Sequence, residues 1–168
     1  EAAIQRGAAI VNDVFALQRD SQMAEVVARA GVPVVLMHNN VSKPSQAIVP
    51  DVERDLTQSI AIAQAAGIAR DRIIIDPGIG FGKTREQNLE LIRRLGELRR
   101  RLGYPVLVGP SRKSFIGATL GLDVDQRVEG TAAAVALAIQ AGADIVRVHD
   151  VEVMTRVARM ADAIVRAS

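Results

Sequence analysis

Apolar positions gather into five short, nearly continuous runs, at residues 8–14, 32–37, 72–75, 105–108 and 144–148. Each is rich in β-branched residues and lacks the strict in–out alternation of a half-exposed strand, the pattern of parallel strands covered on both faces. Between these runs the period is helical. Residues 21–30, 51–66, 85–102 and 130–141 each stop at a glycine (Gly31, Gly67, Gly103, Gly142), where a left-handed residue ends a helix at no steric cost. Within 51–66, Val52, Leu56, Ile60 and Ala63 recur at helical spacing. Residues 151–167 read as a last helix with Asp150 as its N-cap, and residues 1–6, closed by Gly7, as the end of a first one. Strand, loop, helix and glycine recur about every 35 residues, as in βα units joined in parallel. Such units build either an open, doubly wound parallel sheet or a section of a (β/α)8 barrel, which runs to about 250 residues when complete. The chain of 168 residues holds about five units, read as one domain over 1–168.

In both architectures chemistry lies just beyond the C-terminal ends of the strands, and polar residues concentrate there. The first run ends in Asn12-Asp13, the second in Met37-His38-Asn39-Asn40 and the third in Asp76-Pro77-Gly78. Gly109-Pro110-Ser111-Arg112-Lys113-Ser114 follows the fourth, and Arg147-Val148-His149-Asp150 closes the fifth. The opposite ends carry plain turns, and this one-sided placement points to an enzyme.

Composition removes several alternatives. Aromatic residues make up 2% of the chain, too few for repeated stacking on nucleobases, and a net charge of +2 gives no reason to expect a nucleic-acid partner. The chain has no cysteine and two histidines, which excludes thiolate chemistry and a His/Cys zinc site. No apolar run reaches the roughly 18 residues of a membrane helix, and the first residues do not have a signal-peptide layout; a cytoplasmic protein away from membranes is expected.

Residues 76–84, Asp-Pro-Gly-Ile-Gly-Phe-Gly-Lys-Thr, come close to a P-loop but have three residues where four must separate Gly78 from Gly82-Lys83-Thr84. The dinucleotide fingerprint fails as well, because Lys83 stands where its third glycine would be. The remaining reading is a glycine-rich loop that brings backbone and Phe81 up to a flat ligand. Asp76 would anchor it, since a carboxylate accepts two parallel hydrogen bonds from an amino-pyrimidinone edge as it does from an arginine fork. Ser111-Arg112-Lys113-Ser114, between a strand and a helix, suits an anion. Arg147 and His149 alternate, so both side chains would face the same way on a continued strand and grip a phosphate together; His38 has no such companion. The arginines at 93, 94, 99, 100 and 101, interspersed with Glu90 and Glu97, read as a solvated helix face.

Four segments together resemble bacterial dihydropteroate synthases: residues 11–14 (Val-Asn-Asp-Val), 75–83, 109–117 and 147–151, in that family's order and spacing and across the whole chain. The resemblance implies a TIM barrel of which this chain holds the last five βα units, and a homodimer formed through late helices. It implies condensation of a dihydropterin pyrophosphate with p-aminobenzoate, releasing pyrophosphate with Mg²⁺ and leaving 7,8-dihydropteroate, and hence a sulfonamide target. By the same resemblance Asn12, Met37, Asp76, Phe81, Gly109, Lys113 and Arg147 take the pterin; Phe81, Lys113 and Ser114 take p-aminobenzoate; and Ser111, Arg147 and His149 take pyrophosphate. Lys113, Arg147 and His149 are the expected catalytic residues. The family's N-terminal strands, with an Asn, a Thr-Arg-Pro loop and a second pterin-binding Asp, have no counterpart among these residues, and His38-Asn39-Asn40 departs from the commoner Met-His-Met. The usual protein ligand of Mg²⁺ therefore lies outside this chain, no metal ligand is expected within it, and little or no turnover is expected of it alone. Its two open sheet edges lead to an expectation of poor solubility or swapped assembly. A pterin-dependent methyltransferase of related barrel fold, and a non-catalytic pterin- or phosphate-binding module, are the alternatives.

Overall fold

The computed structural model describes residues 1–39 and 47–166; Asn40 and the expected end of the last helix at residue 167 lie outside them. Five parallel strands follow one another in space in the order of the chain: β1 (Val11–Asp13), β2 (Val34–Met37), β3 (Ile73–Asp76), β4 (Leu107–Val108) and β5 (Ile145–Val146). The β3–β4 junction is a single bridge, Ile75 to Val106, with the Ile75 N–H donating to the Pro105 carbonyl at 2.9 Å. Pro105 has no N–H to continue the ladder, which is why the pairing thins there. Strictly sequential order is the winding of a barrel, whereas a doubly wound sheet reverses direction at its first strand.

Curvature follows from one contact. Four inter-strand spacings of about 4.8 Å would put β1 and β5 some 19 Å apart in a flat sheet, far beyond one side chain. The guanidinium of Arg147, just past β5, nonetheless donates to Asn12 Oδ1 on β1 at 2.8 Å. The sheet is a section of a barrel wall.

The strands explain their own apolar runs. Val34, Leu36, Ile73, Ile75, Val106 and Val108 turn outward into the main core, against α3 (Ile48–Ala65) and α4 (Arg85–Arg93) among others. By register and alternation Asn12, Val35, Met37, Ile74, Asp76, Leu107 and Ile145 share the opposite, inner face. The remaining helices are α1 (Ala2–Gln5), α2 (Met23–Ala30), α5 (Leu95–Leu102), α6 (Ser114–Leu120), α7 (Val128–Gln140) and α8 (Val151–Val165). Three boundaries differ from the sequence reading. The expected helix 85–102 breaks at Arg94, which caps both halves and pairs with Glu90 at 2.7 Å and Glu97 at 2.8 Å. Helix α3 starts three residues early, at Ile48, and takes Pro50 in its first turn, where a missing N–H costs nothing. A short helix, α6, precedes the expected 130–141 helix and ends at Gly121 (φ +71°). The arginine run is less free than expected, since Arg99 pairs with Asp144 at 2.9 Å and Arg101 with Glu53 at 2.7 Å.

Candidate active site

The site lies where the inner face of the sheet meets the C-terminal strand ends. Asp76, the last residue of β3, is 1% exposed, and its Oδ1 accepts the Gly78 N–H at 2.7 Å. Its Oδ2 lies 3.1 Å from Arg147 Nη2, whose other amino group reaches Asn12. Arg147 can lie across the strand ends because residue 109 is glycine: a Cβ there would stand 2.9 Å from Nη2. Asn12, Asp76, Gly109 and Arg147, far apart in sequence, thus form one cluster. Burial pushes the Asp76 carboxyl up, while the Gly78 N–H and Arg147 pull it down.

The loop after β3 approaches its neighbours so closely that side chains are excluded. Gly78, Gly80 and Gly82 all have φ between +59° and +81°, left-handed values that favour glycine. A Cβ on Gly78 would stand 1.9 Å from the His38 carbonyl oxygen, and one on Gly80 2.7 Å from Lys113 Cδ. Lys113 stacks its ammonium over the Phe81 ring, 3.9 Å from the centroid. Burial and the nearby Arg147 lower its pKa against the pull of Asp76.

Ser111 and His149 form a third group. The buried Ser111 Oγ accepts the His149 backbone N–H at 3.1 Å and lies 2.9 Å from His149 Nδ1. A hydroxyl that accepts the backbone N–H can still donate to Nδ1, and in that tautomer Nε2 carries the N–H. β5 ends at Val146, so strand alternation does not aim the two expected phosphate ligands: Arg147 turns toward Asp76, His149 toward Ser111. Asp150 stands at the N-cap of α8 as expected, but its side chain does not cap. It receives the Arg112 guanidinium instead, at 2.9 and 2.5 Å, and this pair lowers its pKa. That clamp steadies Arg112 at φ +54°, as do the Arg112 N–H donated to Thr131 Oγ1 at 3.0 Å and Arg127 Nη1 on the Arg112 carbonyl at 3.1 Å. Ser114 opens α6, beside Lys113.

Met37 is fully buried beside Asp76 in the β2–β3 register. With Phe15, His38 and Asp55 it also lines a polar cavity of about 360 Å³ between β2 and α3. His38 faces that cavity, and not Ser111 and His149. Its Nε2 is 3.3 Å from Asp55 Oδ2 but out of line for a hydrogen bond, and among the described residues neither ring nitrogen has a hydrogen-bond partner. Burial, helped by Lys83, lowers its pKa to about 4. The sequence reading missed this His38–Asp55 approach and the inward turn of Lys83; a buried strand-end histidine 17 positions before its acid leaves no local signal. Among the described residues no three His, Cys, Asp or Glu side chains gather into a cation site.

A family model described as pterin binding enzyme matches residues 1–149. The dihydropteroate synthase of Bacillus subtilis is 48% identical over 161 residues, covering 96% of this chain and 56% of that protein. The Clostridium beijerinckii dihydropteroate synthase is 47% identical, over 99% of this chain and 62% of that protein. A Clostridium difficile dihydropteroate synthase structure, determined in the presence of pteroic acid, superposes with a TM-score of 0.94 at 44% identity, over 98% of this chain and 63% of that one. A Xanthomonas albilineans dihydropteroate synthase structure with 4-aminobenzoic acid gives 0.93 at 41% identity, over 99% and 61%. The chain therefore spans about three-fifths of the length of these relatives and corresponds to a section of their TIM barrel. It belongs to the pterin binding enzyme family.

Proposed function

We propose that residues 1–168, as one domain, carry the pterin-binding and pyrophosphate-releasing part of a dihydropteroate synthase site. The observation that carries this reading is the Asn12–Arg147–Asp76 cluster. It offers a buried carboxylate, an amide and a flat guanidinium at one place, the complement of an amino-pyrimidinone ring. Asp76 accepts two parallel N–H bonds from the pterin edge and Asn12 a further contact. Lys113 donates to the pterin carbonyl, Arg147 lies against the ring, and Met37, Phe81 and Gly109 wall the pocket. Phe81, Lys113 and Ser114 receive p-aminobenzoate, whose carboxylate meets Ser114.

In the reaction the p-aminobenzoate nitrogen attacks the exocyclic methylene carbon of the dihydropterin. The C–N bond forms as the C–O bond to pyrophosphate breaks, the electron pair leaves on oxygen, and the amine proton is lost to solvent. No protein nucleophile is required. Negative charge grows on the departing oxygens, and Arg147 with the His149 Nε2–H, oriented through Ser111, stabilises it there. By the resemblance, an ion arriving with pyrophosphate would take its protein ligand from outside this chain and would add positive charge at the leaving oxygens. The reading carries with it a cytoplasmic location, sulfonamide sensitivity and a homodimer. The dimer is supported by exposed Leu137, Val151, Met160 and Ile164 on α7 and α8, and no described helix is long and apolar enough to cross a membrane.

Calorimetry with 6-hydroxymethyl-7,8-dihydropterin pyrophosphate tests the reading: saturable binding is expected, with dihydropteroate formation slow or absent. No detectable binding overturns the assignment, and turnover at the rate of a complete enzyme overturns the expectation of low activity.

A further inference from the structure

Lys83 is the residue that spoiled the dinucleotide fingerprint and nearly completed a P-loop, yet it is aimed at the protein and not at a ligand. Its Nζ donates to the carbonyls of Gly78 at 2.8 Å, Phe81 at 3.0 Å and His38 at 3.3 Å. An ammonium has three N–H donors, and all three are used. We propose that Lys83 is a positioning residue for the pterin pocket: its ammonium ties the end of β2 to the loop after β3 and so holds Asp76 and Phe81 where the pterin needs them. This rests on the reading given under Proposed function.

The loop needs such a tie. Three glycines at positive φ alternate through residues 78–82, and glycine loses more conformational freedom on ordering than any other residue. No ladder bonds run through this stretch. Its other ties are the Gly78 N–H on Asp76, the Phe81 N–H on the Gly78 carbonyl at 3.1 Å and the Gly80 N–H on Asn88 Oδ1 at 2.7 Å. The backbone that presents Lys83 is itself fixed. Thr84 and Gln87 form a capping box at the start of α4, and Asn88 Nδ2 donates to the carbonyls of Lys83 and Thr84. Lys83 therefore joins a rigid helix start to a loop with little stiffness of its own. The groups around it are Asp76, which favours its charge, Lys113, which opposes it, and His38, kept neutral beside it. Burial lowers its pKa to about 8, so it remains an ammonium at neutral pH.

The chain has no cysteine, which permits a stringent test. In Lys83→Cys the single thiol is alkylated with 2-bromoethylamine, rebuilding an ammonium at lysine's reach; alkylation in denaturant followed by refolding serves if the unmodified variant does not fold. Amide exchange at Gly78, Gly80 and Phe81 reports the loop, and calorimetry with the pterin pyrophosphate reports the pocket. Expected are at least tenfold weaker binding and faster exchange in Lys83→Cys and Lys83→Met, with both largely restored in the alkylated protein. Binding within twofold of wild type in Lys83→Met overturns the proposal, as does a loss that alkylation fails to restore. Should the wild-type chain bind no pterin, the functional reading falls while the exchange data still decide whether Lys83 holds the loop.

Discussion

Replacing His38 by Phe separates the acid sensitivity of the fold from its packing. The side chain is 4% exposed, and neither ring nitrogen has a hydrogen-bond partner among the described residues. At pH 7.5 the imidazole is neutral both folded and unfolded, so Phe, of similar shape, should fold at least as stably; it removes two unpaired polar atoms. Acid changes this. The unfolded ring takes its proton near 6.5, the folded ring only near 4, so the unfolded state binds more protons over that window and stability falls as pH falls through it. At about 1.36 kcal/mol per pH unit, the gap is worth ~3 kcal/mol when fully expressed and about 2.5 kcal/mol by pH 4.5. The assay is urea unfolding at pH 7.5 and 4.5 followed by far-ultraviolet circular dichroism, since the chain has no tryptophan. Wild type should lose about 2.5 kcal/mol more than His38→Phe between the two conditions. Equal losses, or a His38 proton titration near 6.5 in the folded protein, would refute the reasoning.

Three further substitutions probe the site. Asp76→Asn keeps the shape but turns an NH₂ toward either the Gly78 N–H or Arg147; calorimetry should show pterin affinity down about 100-fold, ~3 kcal/mol for charge-assisted bonds lost, and a loss under threefold contradicts the assigned anchor. Ser111→Ala removes the acceptor of the His149 N–H and the partner of Nδ1; inorganic pyrophosphate should bind about tenfold more weakly, roughly 1.4 kcal/mol, while an unchanged affinity would detach Ser111 from that subsite. Gly78→Ala would set a Cβ 1.9 Å from the His38 carbonyl oxygen at φ +69°; chemical denaturation should show at least about 2 kcal/mol lost, and a neutral result would mean the loop and β2 are not in this contact.

What was legible in the sequence was whatever repeats or terminates locally. The five runs became the five strands, and Gly31 and Gly103 stand at helix ends with φ of +64° and +71°, because a left-handed stop is written in one residue. The choice between sheet and barrel was not legible from periodicity. It turns on the long-range reach of Arg147 to Asn12, 135 residues apart, and only the family resemblance anticipated it. Asp150 shows the same limit at one position. An Asp before an apolar helix reads as a cap, yet Arg112, brought alongside by the fold, offers two charged donors and wins the carboxylate. Lys83 was visible as a loop lysine, but nothing in the order Gly-Lys-Thr says whether it faces out to a phosphate or in to carbonyls.

A net charge of +2 gives no reason to expect a nucleic-acid partner, yet whole-chain charge says little about how charge is placed at one site. One buried carboxylate, Asp76, sits among three cations delivered by three different strand ends: Lys83 after β3, Lys113 after β4 and Arg147 after β5. Asp76 supports the charge of both lysines, while Lys113 opposes Lys83 and Arg147 opposes Lys113. A pterin edge requires the carboxylate ionised in a buried place, where an isolated charge would instead be neutralised; a departing pyrophosphate requires net positive charge close by. Under the proposed reading, Lys83 within the loop and Arg147 across the strand ends offset part of the burial that pushes the Asp76 carboxyl up, and Lys113 over Phe81 adds positive charge beside them. It also predicts which of them are separable. Losing Lys83 should disturb the pterin end while sparing the His149–Ser111 end, whereas losing Arg147, to which the proposed function gives both the ring and the leaving group, should disturb both.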